Sequence, residues 1–125
     1  MVSLKNQVIV VTGGTGFLGT YLVKLLKKEG AKVIASSSKD YDLRNSLECK
    51  KLFKSTKPDI VVHLAANVGG IGYNQENPAS LFYDNLMNIN ILNFLLYQTE
   101  LFLYYYFDFD YYQKYLIYFL SLNYF

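Results

Sequence analysis

The stretch Val8-Ile9-Val10-Val11-Thr12, followed at once by Gly13-Gly14-Thr15-Gly16-Phe17-Leu18-Gly19, limits what this 125-residue chain can fold into more than any other feature. The first five residues carry no polar alternation, which is the pattern of a strand buried on both faces of a parallel sheet. From Phe17 to Glu29 the apolar positions Leu18, Tyr21, Leu22, Leu25 and Leu26 recur at helical spacing, with Lys24, Lys27 and Lys28 turned outward. Gly30 stops that helix, and the lysines of its last turn suit the negative end of the helix dipole. A buried strand, a glycine turn and a helix in direct succession open a doubly wound α/β sheet.

The pattern then repeats. Ala31 to Ala35 reads as a second strand and Ser36 to Asp42 as a polar loop. Asn45 or Ser46 caps a helix that runs through Ser55, with Leu47, Leu52 and Phe53 inward. Lys57-Pro58-Asp59 ends it, and Ile60 to Leu64 is a third apolar strand. Strand, helix, strand, helix, strand is a βαβαβ unit with right-handed crossovers. Gly69-Gly70-Ile71-Gly72 reads as a loop, and Pro78 opens a helix through Asn85 to Asn93. The expected fold class is α/β: residues 1–93 form the N-terminal half of a Rossmann doubly wound parallel sheet, βαβαβα.

From Phe94 to Phe125 the composition changes. Nearly half of these residues are Phe or Tyr, and Gly, Ala, Val, Pro and Arg are absent. The enriched residues are those that A/T-rich triplets encode, and such a bias carries no packing plan. Residues 94–125 are therefore expected to be a non-homologous aromatic tail, translated out of frame or through an intron. The alternative is a selected segment that anchors to a partner or a membrane surface, although Glu100, Asp108 and Asp110 disfavour an anionic membrane. Three strands in the order 3-2-1 would leave Val8 to Thr12 as an exposed apolar edge. Leu101 to Phe107, with high β-propensity, is expected to cover it as a makeshift fourth strand.

Composition excludes several functions. A net charge of +2 with 18% charged residues offers no basic surface for nucleic acid. The single cysteine, Cys49, cannot form an internal disulfide, suits a reducing, cytoplasmic compartment, and reads as a passive thiol. The N-terminal residues lack the zones of a signal peptide, and no run of apolar residues is long enough for a membrane span. His63 lies inside a strand and reads as a packed core histidine, while Glu76 and Asp84 read as solvated helix residues. No metal site is expected.

The glycine turn carries the chemistry. Gly13 permits a tight turn out of the strand, Gly16 lets backbone approach a pyrophosphate, and Gly19 allows the helix to touch the sheet. The helix that begins there presents free N–H groups and its positive dipole end to phosphates. The motif sits between a strand and a helix, the context that gives it meaning, so a dinucleotide is expected on Gly13, Gly14, Thr15, Gly16, Phe17, Leu18 and Gly19. An NAD-binding chain usually places Asp or Glu about 20 residues beyond the glycines to hold the ribose 2′-OH. Here Ala35 is followed by Ser36, Ser37, Ser38 and Lys39. Hydroxyls and an ammonium suit a 2′-phosphate, which favours NADP over NAD; the alternative is a solvated serine loop.

The spacing Gly-x-x-Gly-x-x-Gly, the Asp42-Leu43 pair and His63-Leu64-Ala65-Ala66 resemble the extended short-chain dehydrogenase/reductase family, which acts on nucleotide sugars. Ala66-Asn67-Val68-Gly69-Gly70-Ile71, then Asn74, Glu76-Asn77-Pro78 and Phe82-Tyr83-Asp84-Asn85-Leu86-Met87, are similar to its GDP-L-fucose synthase branch, over Gln7 to Asn93. The resemblance implies that Asp42 and Leu43 read the adenine and that Leu64, Ala65 and Ala66 lie along the cofactor. It implies that Val68, Gly69, Gly70 and Ile71 border the sugar beside the nicotinamide. The implied reaction is NADPH-dependent epimerisation and reduction of GDP-4-keto-6-deoxy-D-mannose to GDP-L-fucose, with a homodimer as the full-length enzyme.

The departures bear on activity. The family's acid/base work belongs to a Ser or Thr after the fourth strand and to a Tyr-x-x-x-Lys whose lysine lowers the tyrosine pKa. No tyrosine here has a lysine four positions on, and the Ser-Ser/Thr-Cys-Ile-Tyr/Phe-Pro segment is absent. The family helix around Leu86-Met87-Asn88 carries one more residue, and Thr15 stands where some members have an arginine for the 2′-phosphate. No catalytic residue is assigned in this chain, which is expected to be inactive alone. The other readings are another nucleotide-sugar epimerase or dehydratase, and a non-catalytic nucleotide-binding or interaction module.

Overall fold

Apolar runs become strands where their backbone groups can pair, and a computed structural model describes residues 3–67, 71–98, 102–106 and 117–121 of the result. Strands β1 (Val8–Thr12), β2 (Lys32–Ser36) and β3 (Ile60–His63) are parallel, with β1 between the other two. Two helices connect them, α1 (Phe17–Lys28) from β1 to β2 and α2 (Ser46–Thr56) from β2 to β3. Right-handed crossovers in opposite directions along the sheet put these helices on opposite faces. The side chains of β1 divide accordingly. Ile9 and Val11 pack with Leu26 and Val62 on one face, while Val10 packs with Cys49, Leu52, Phe53 and Val61 on the other.

Local chemistry sets the element ends. Asn45 caps α2, its side-chain oxygen accepting from Leu47 N–H at 2.9 Å, which decides between the two candidate caps. Gly30, at φ +85°, follows α1, and Ala31 N–H closes back on the Leu26 carbonyl at 3.1 Å. Asp59 ties the strand starts together: its N–H donates to the Val8 carbonyl at 2.8 Å, and its carboxylate accepts from Val8 N–H at 2.7 Å.

The structure corrects the expected edge. Val8 to Thr12 is not exposed, because the third strand takes the free side of β1 rather than lying beyond β2. The segment after β2 forms turns, so no strand extends the sheet on that side among the described residues. The predicted tail strand exists as β4 (Phe102–Tyr106), but it does not pair with β1. It forms an antiparallel pair with β5 (Ile117–Ser121), and β5 pairs antiparallel with β3.

Three helical expectations change as well. Leu47 is 63% exposed, since Cys49, Leu52 and Phe53 define the buried side of α2 and Leu47 sits half a turn from it. On α1 the inward line is Gly19, Leu22, Val23 and Leu26, leaving Leu18, Tyr21 and Leu25 exposed. The glycine marks the face because it must touch the turn below. Ile71 and Gly72 are not loop but open α3 (Ile71–Glu76); the helix expected from Pro78 divides at Asn85 into α4 (Pro78–Asp84) and α5 (Leu86–Gln98). Ile91 of α5 completes the α2-side core, and Phe94 stacks on Phe53 at 4.9 Å between ring centroids.

Leu52 is fully buried and Leu47 mostly exposed on the same helix. In urea denaturation we expect Leu52→Ala to cost about 2 to 5 kcal/mol. Leu47→Ala should stay within about 0.5 kcal/mol of the parent.

Candidate functional site

The reversal of winding at β1 opens a crevice at the carboxyl ends of β1 and β3, the place where doubly wound sheets receive ligands. Three polar residues mark that end. Thr12 is the register partner of both Ser36 and His63, so the three side chains share one face, and none is more than 3% exposed. Thr12 Oγ1 and His63 Nδ1 share a hydrogen bond of 2.5 Å across the two strands. His63 is thus the packed core histidine its position predicts. Among the described residues, the buried Ser36 Oγ has no hydrogen-bond partner, a state that costs about 1 to 3 kcal/mol unless a partner arrives.

The glycine turn is built by crowding. Gly13 has φ +68°, the left-handed region that favours glycine, and a Cβ there would lie 2.8 Å from the Ala65 nitrogen. A Cβ on Gly14 would meet Ala35 Cβ and the Val11 carbonyl, each at 2.8 Å, and one on Gly19 would meet the Gly13 carbonyl at 2.2 Å. Gly16 differs, because its Cβ would approach only the Gly13 carbonyl, at 3.2 Å. Gly16 N-caps α1 with no side-chain cap, and the first turn has no acidic residue. The N-terminus of a twelve-residue helix, with its positive dipole end, therefore points into the crevice past exposed Thr15, Gly16, Phe17 and Leu18.

The structure brings several predicted residues to this turn. Leu64 N–H donates to the Thr12 carbonyl at 3.0 Å, and the Leu64–Ala65 backbone lies against Gly13. Ala66 follows, exposed. At the end of β2, Ser36 belongs to the strand, not the loop, while Ser38 and Lys39 are exposed. Ser37 is engaged: its N–H and hydroxyl both donate to Asp40 Oδ2, at 3.1 and 2.6 Å. Leu43 is buried in the α2-side core. Val68, Gly69 and Gly70 lie outside the described residues, and of Ile71 only its place at the start of α3 is described.

Sequence reasoning missed one cluster. Arg44 donates from Nε to Asp42 Oδ1 at 2.8 Å, from Nη2 to Asp42 Oδ2 at 2.9 Å and from Nη1 to Asp84 Oδ1 at 2.9 Å. Its guanidinium also lies 5.6 Å from the centre of the Tyr83 ring. Asp84 accepts from Asn67 Nδ2 at 2.7 Å, and Asn85 holds the Asn67 backbone in both directions. Asn90 Nδ2 donates to the Leu43 and Arg44 carbonyls. Asp84 is thus not a solvated helix residue but a link between α4, the Asp42–Arg44 turn and the segment after β3. The Arg44 hydrogen bonds lower the Asp42 pKa, and those from Asn67 and then Arg44 lower that of Asp84. The only sequence signal was Arg44 itself, a lone arginine between Asp42 and a helix cap.

Other groups are quiet. Burial pushes the Cys49 thiol up to about 12, which leaves it a passive core residue. Among the described residues no three His, Cys, Asp or Glu gather as a metal site, and no helix is long and apolar enough to cross a membrane.

Known proteins resemble this chain over most of its length. The chain is 36% identical over 89 residues to GDP-L-fucose synthase of Azorhizobium caulinodans, covering 70% of this chain and 28% of that protein. It is 34% identical over 93 residues to GDP-L-fucose synthase of Sinorhizobium fredii, covering 74% of this chain and 30% of the relative. The crystal structure of a GDP-L-fucose synthetase from Naegleria fowleri bound to NADP superposes with a TM-score of 0.61 at 42% identity, over 74% of this chain and 30% of that one. The chain therefore spans less than a third of the length of these relatives.

The crowding at the turn has a measurable consequence. We expect Gly19→Ala to destabilise the fold by at least about 3 kcal/mol in thermal or chemical melts, the upper range for a single substitution. Gly72→Ala, where a Cβ meets nothing within 4 Å, should leave stability nearly unchanged. The strand, turn and helix that impose this requirement open the stretch that matches a family model, residues 9–106. On that match the chain belongs to the NAD dependent epimerase/dehydratase family.

Proposed function

We propose that this chain is the cofactor-binding part of a GDP-sugar epimerase/reductase of the GDP-L-fucose synthase type, and that its ligand is NADP. The observation that carries the reading is the start of α1. Packing requires glycine at 13, 14 and 19, whereas a Cβ at Gly16 would meet only the Gly13 carbonyl, at 3.2 Å, and the helix N-terminus above it has no side-chain cap. That combination suits a pyrophosphate held by backbone N–H groups. Ser36, Ser38 and Lys39 at the end of β2 suit a ribose 2′-phosphate, the buried Ser36 hydroxyl gaining a partner there. Asp42 and Leu43 take the adenine side; Leu64, Ala65 and Ala66 run along the nicotinamide half. The names of the relatives support a GDP-sugar product, GDP-L-fucose, for the whole enzyme; on the family resemblance its substrate is GDP-4-keto-6-deoxy-mannose and it acts as a cytoplasmic homodimer.

When bound, NADPH would supply a hydride to a ketone carbon, and the residues of this chain would hold and orient it. Lys39 contributes positive charge next to the 2′-phosphate, and the α1 dipole contributes it next to the pyrophosphate. On the family resemblance the Val68 to Ile71 segment borders the sugar; Asn67, the residue before it, is held by Asn85. Proton transfer to the substrate is not assigned to this chain. We place the partial NADP-binding domain at residues 1–93 and the aromatic tail at 94–125, with α5 crossing that boundary to Gln98, Phe94 against the core and β5 joined to β3.

Isothermal titration of the purified chain tests this reading. We expect NADPH to bind more tightly than NADH, and Lys39→Ala to weaken NADPH about fivefold, the worth of one exposed charge pair, with NADH unchanged. Equal affinities for the two nucleotides would remove the role given to the serine loop; no heat with either would remove the dinucleotide reading.

A further inference from the structure

We propose that Asp40 is the specificity-determining residue of the dinucleotide site, its carboxylate competing with a ribose 2′-phosphate for the two donors of Ser37. The proposal rests on the dinucleotide reading above and deepens it. Nothing in Ser36 to Lys39 repels a phosphate, but the next residue of the polar loop is an acid, and the fold brings it onto Ser37. Asp40 Oδ2 accepts from Ser37 N–H at 3.1 Å and from the Ser37 hydroxyl at 2.6 Å. Asp40 N–H and Tyr41 N–H both return to the Ser37 carbonyl at 3.1 Å, and Lys39 N–H approaches Ser37 Oγ at 3.3 Å. One carboxylate oxygen therefore collects the pair of donors that a phosphate oxygen would accept.

Position makes this competition relevant to the cofactor. Ser37 follows Ser36, the register partner of Thr12, and Thr12 leads into the glycine turn. Gly14 packs so closely on Ala35 that the glycine turn and the end of β2 touch. A dinucleotide with its pyrophosphate at the start of α1 brings its adenosine ribose to the end of the second strand. Asp40 lies in the turn four residues beyond Ser36, past the strand-end position where an NAD-binding chain carries the acid for the ribose 2′-OH, and its carboxylate folds back onto Ser37. It is exposed, and the Ser37 hydrogen bonds hold its carboxyl below the usual carboxylate range, so it is ionised at neutral pH.

The two cofactors meet this carboxylate differently. A 2′-OH donates to it. A 2′-phosphate can take the Ser37 donors only after the Asp40 side chain has swung away, and it remains next to a like charge. The preference for NADPH created by Lys39 and the serine hydroxyls is thus held down by Asp40. Charge-assisted bonds are about twice as strong as neutral ones, so an uncharged side chain at 40 competes far less for Ser37.

The experiment measures NADPH and NADH dissociation constants for the full chain and for Asp40→Asn, Asp40→Ser and Asp40→Asn/Ser37→Ala, with a thermal melt of each. Asp40→Asn and Asp40→Ser should each raise the NADPH-to-NADH affinity ratio about tenfold, mainly through tighter NADPH, as relief of one close like-charge contact predicts. Adding Ser37→Ala to Asp40→Asn should weaken NADPH again and leave NADH unchanged. An unmoved ratio in a folded variant, or a fall in NADPH affinity, overturns the proposal and leaves the dinucleotide reading intact. If the unmodified chain binds neither nucleotide, the dinucleotide reading fails and the proposal falls with it.

Discussion

Backbone pressed on backbone, where the start of α1 meets the end of β1, is the contact on which the rest of the structure depends. A single carbon added at Gly19 would overlap the Gly13 carbonyl, and one at Gly13 would overlap the Leu64–Ala65 backbone. The three segments therefore approach to a distance that no side chain allows. That approach fixes the entry angle of α1 and selects Gly19, Leu22, Val23 and Leu26 as its inward line. It also aims the helix N-terminus at the crevice between β1 and β3. Packing and ligand chemistry share one cause here, since the same absence of side chains that lets the helix dock leaves its amides open.

Three further hydrogen bonds hold the crevice in place. Asp59 joins the beginnings of β1 and β3, and the Thr12–His63 hydrogen bond joins their ends. With both ends of this strand pair fixed, the loops after β1 and β3 have a defined floor. Arg44 extends the frame outward by coupling the Asp42–Arg44 turn to α4 through Asp84, and Asn67 carries it to the segment after β3. These are exposed or half-exposed groups, so their worth lies in orientation more than in stability.

The strands, the first two helices and the glycine turn were legible in the sequence, because each depends on local pattern. Val8 to Thr12 needs only its own apolar run to be a strand, and Asn45 needs only its position to be a cap. What was not legible depends on partners distant in sequence. The place of β3 beside β1, which removes the expected open edge, follows from the direction of a crossover. Leu47 and Leu25 look inward by composition but lie off the faces that Cys49 and Gly19 define. Asp84 and Arg44 are 40 residues apart, and no periodicity joins them. Asp40 was passed over beside a serine run, since only the folded turn brings its carboxylate onto Ser37.

The central claim is that a dinucleotide lies across the glycine turn with its ribose at the end of β2. Amide chemical-shift mapping of the isotopically labelled chain during NADPH addition tests this most directly. The account predicts that the largest shifts fall on the amides of Gly13 to Gly19 and Ser36 to Lys39. Shifts concentrated instead on Phe102 to Tyr106 and Ile117 to Ser121, or none at all at saturating nucleotide, would contradict it.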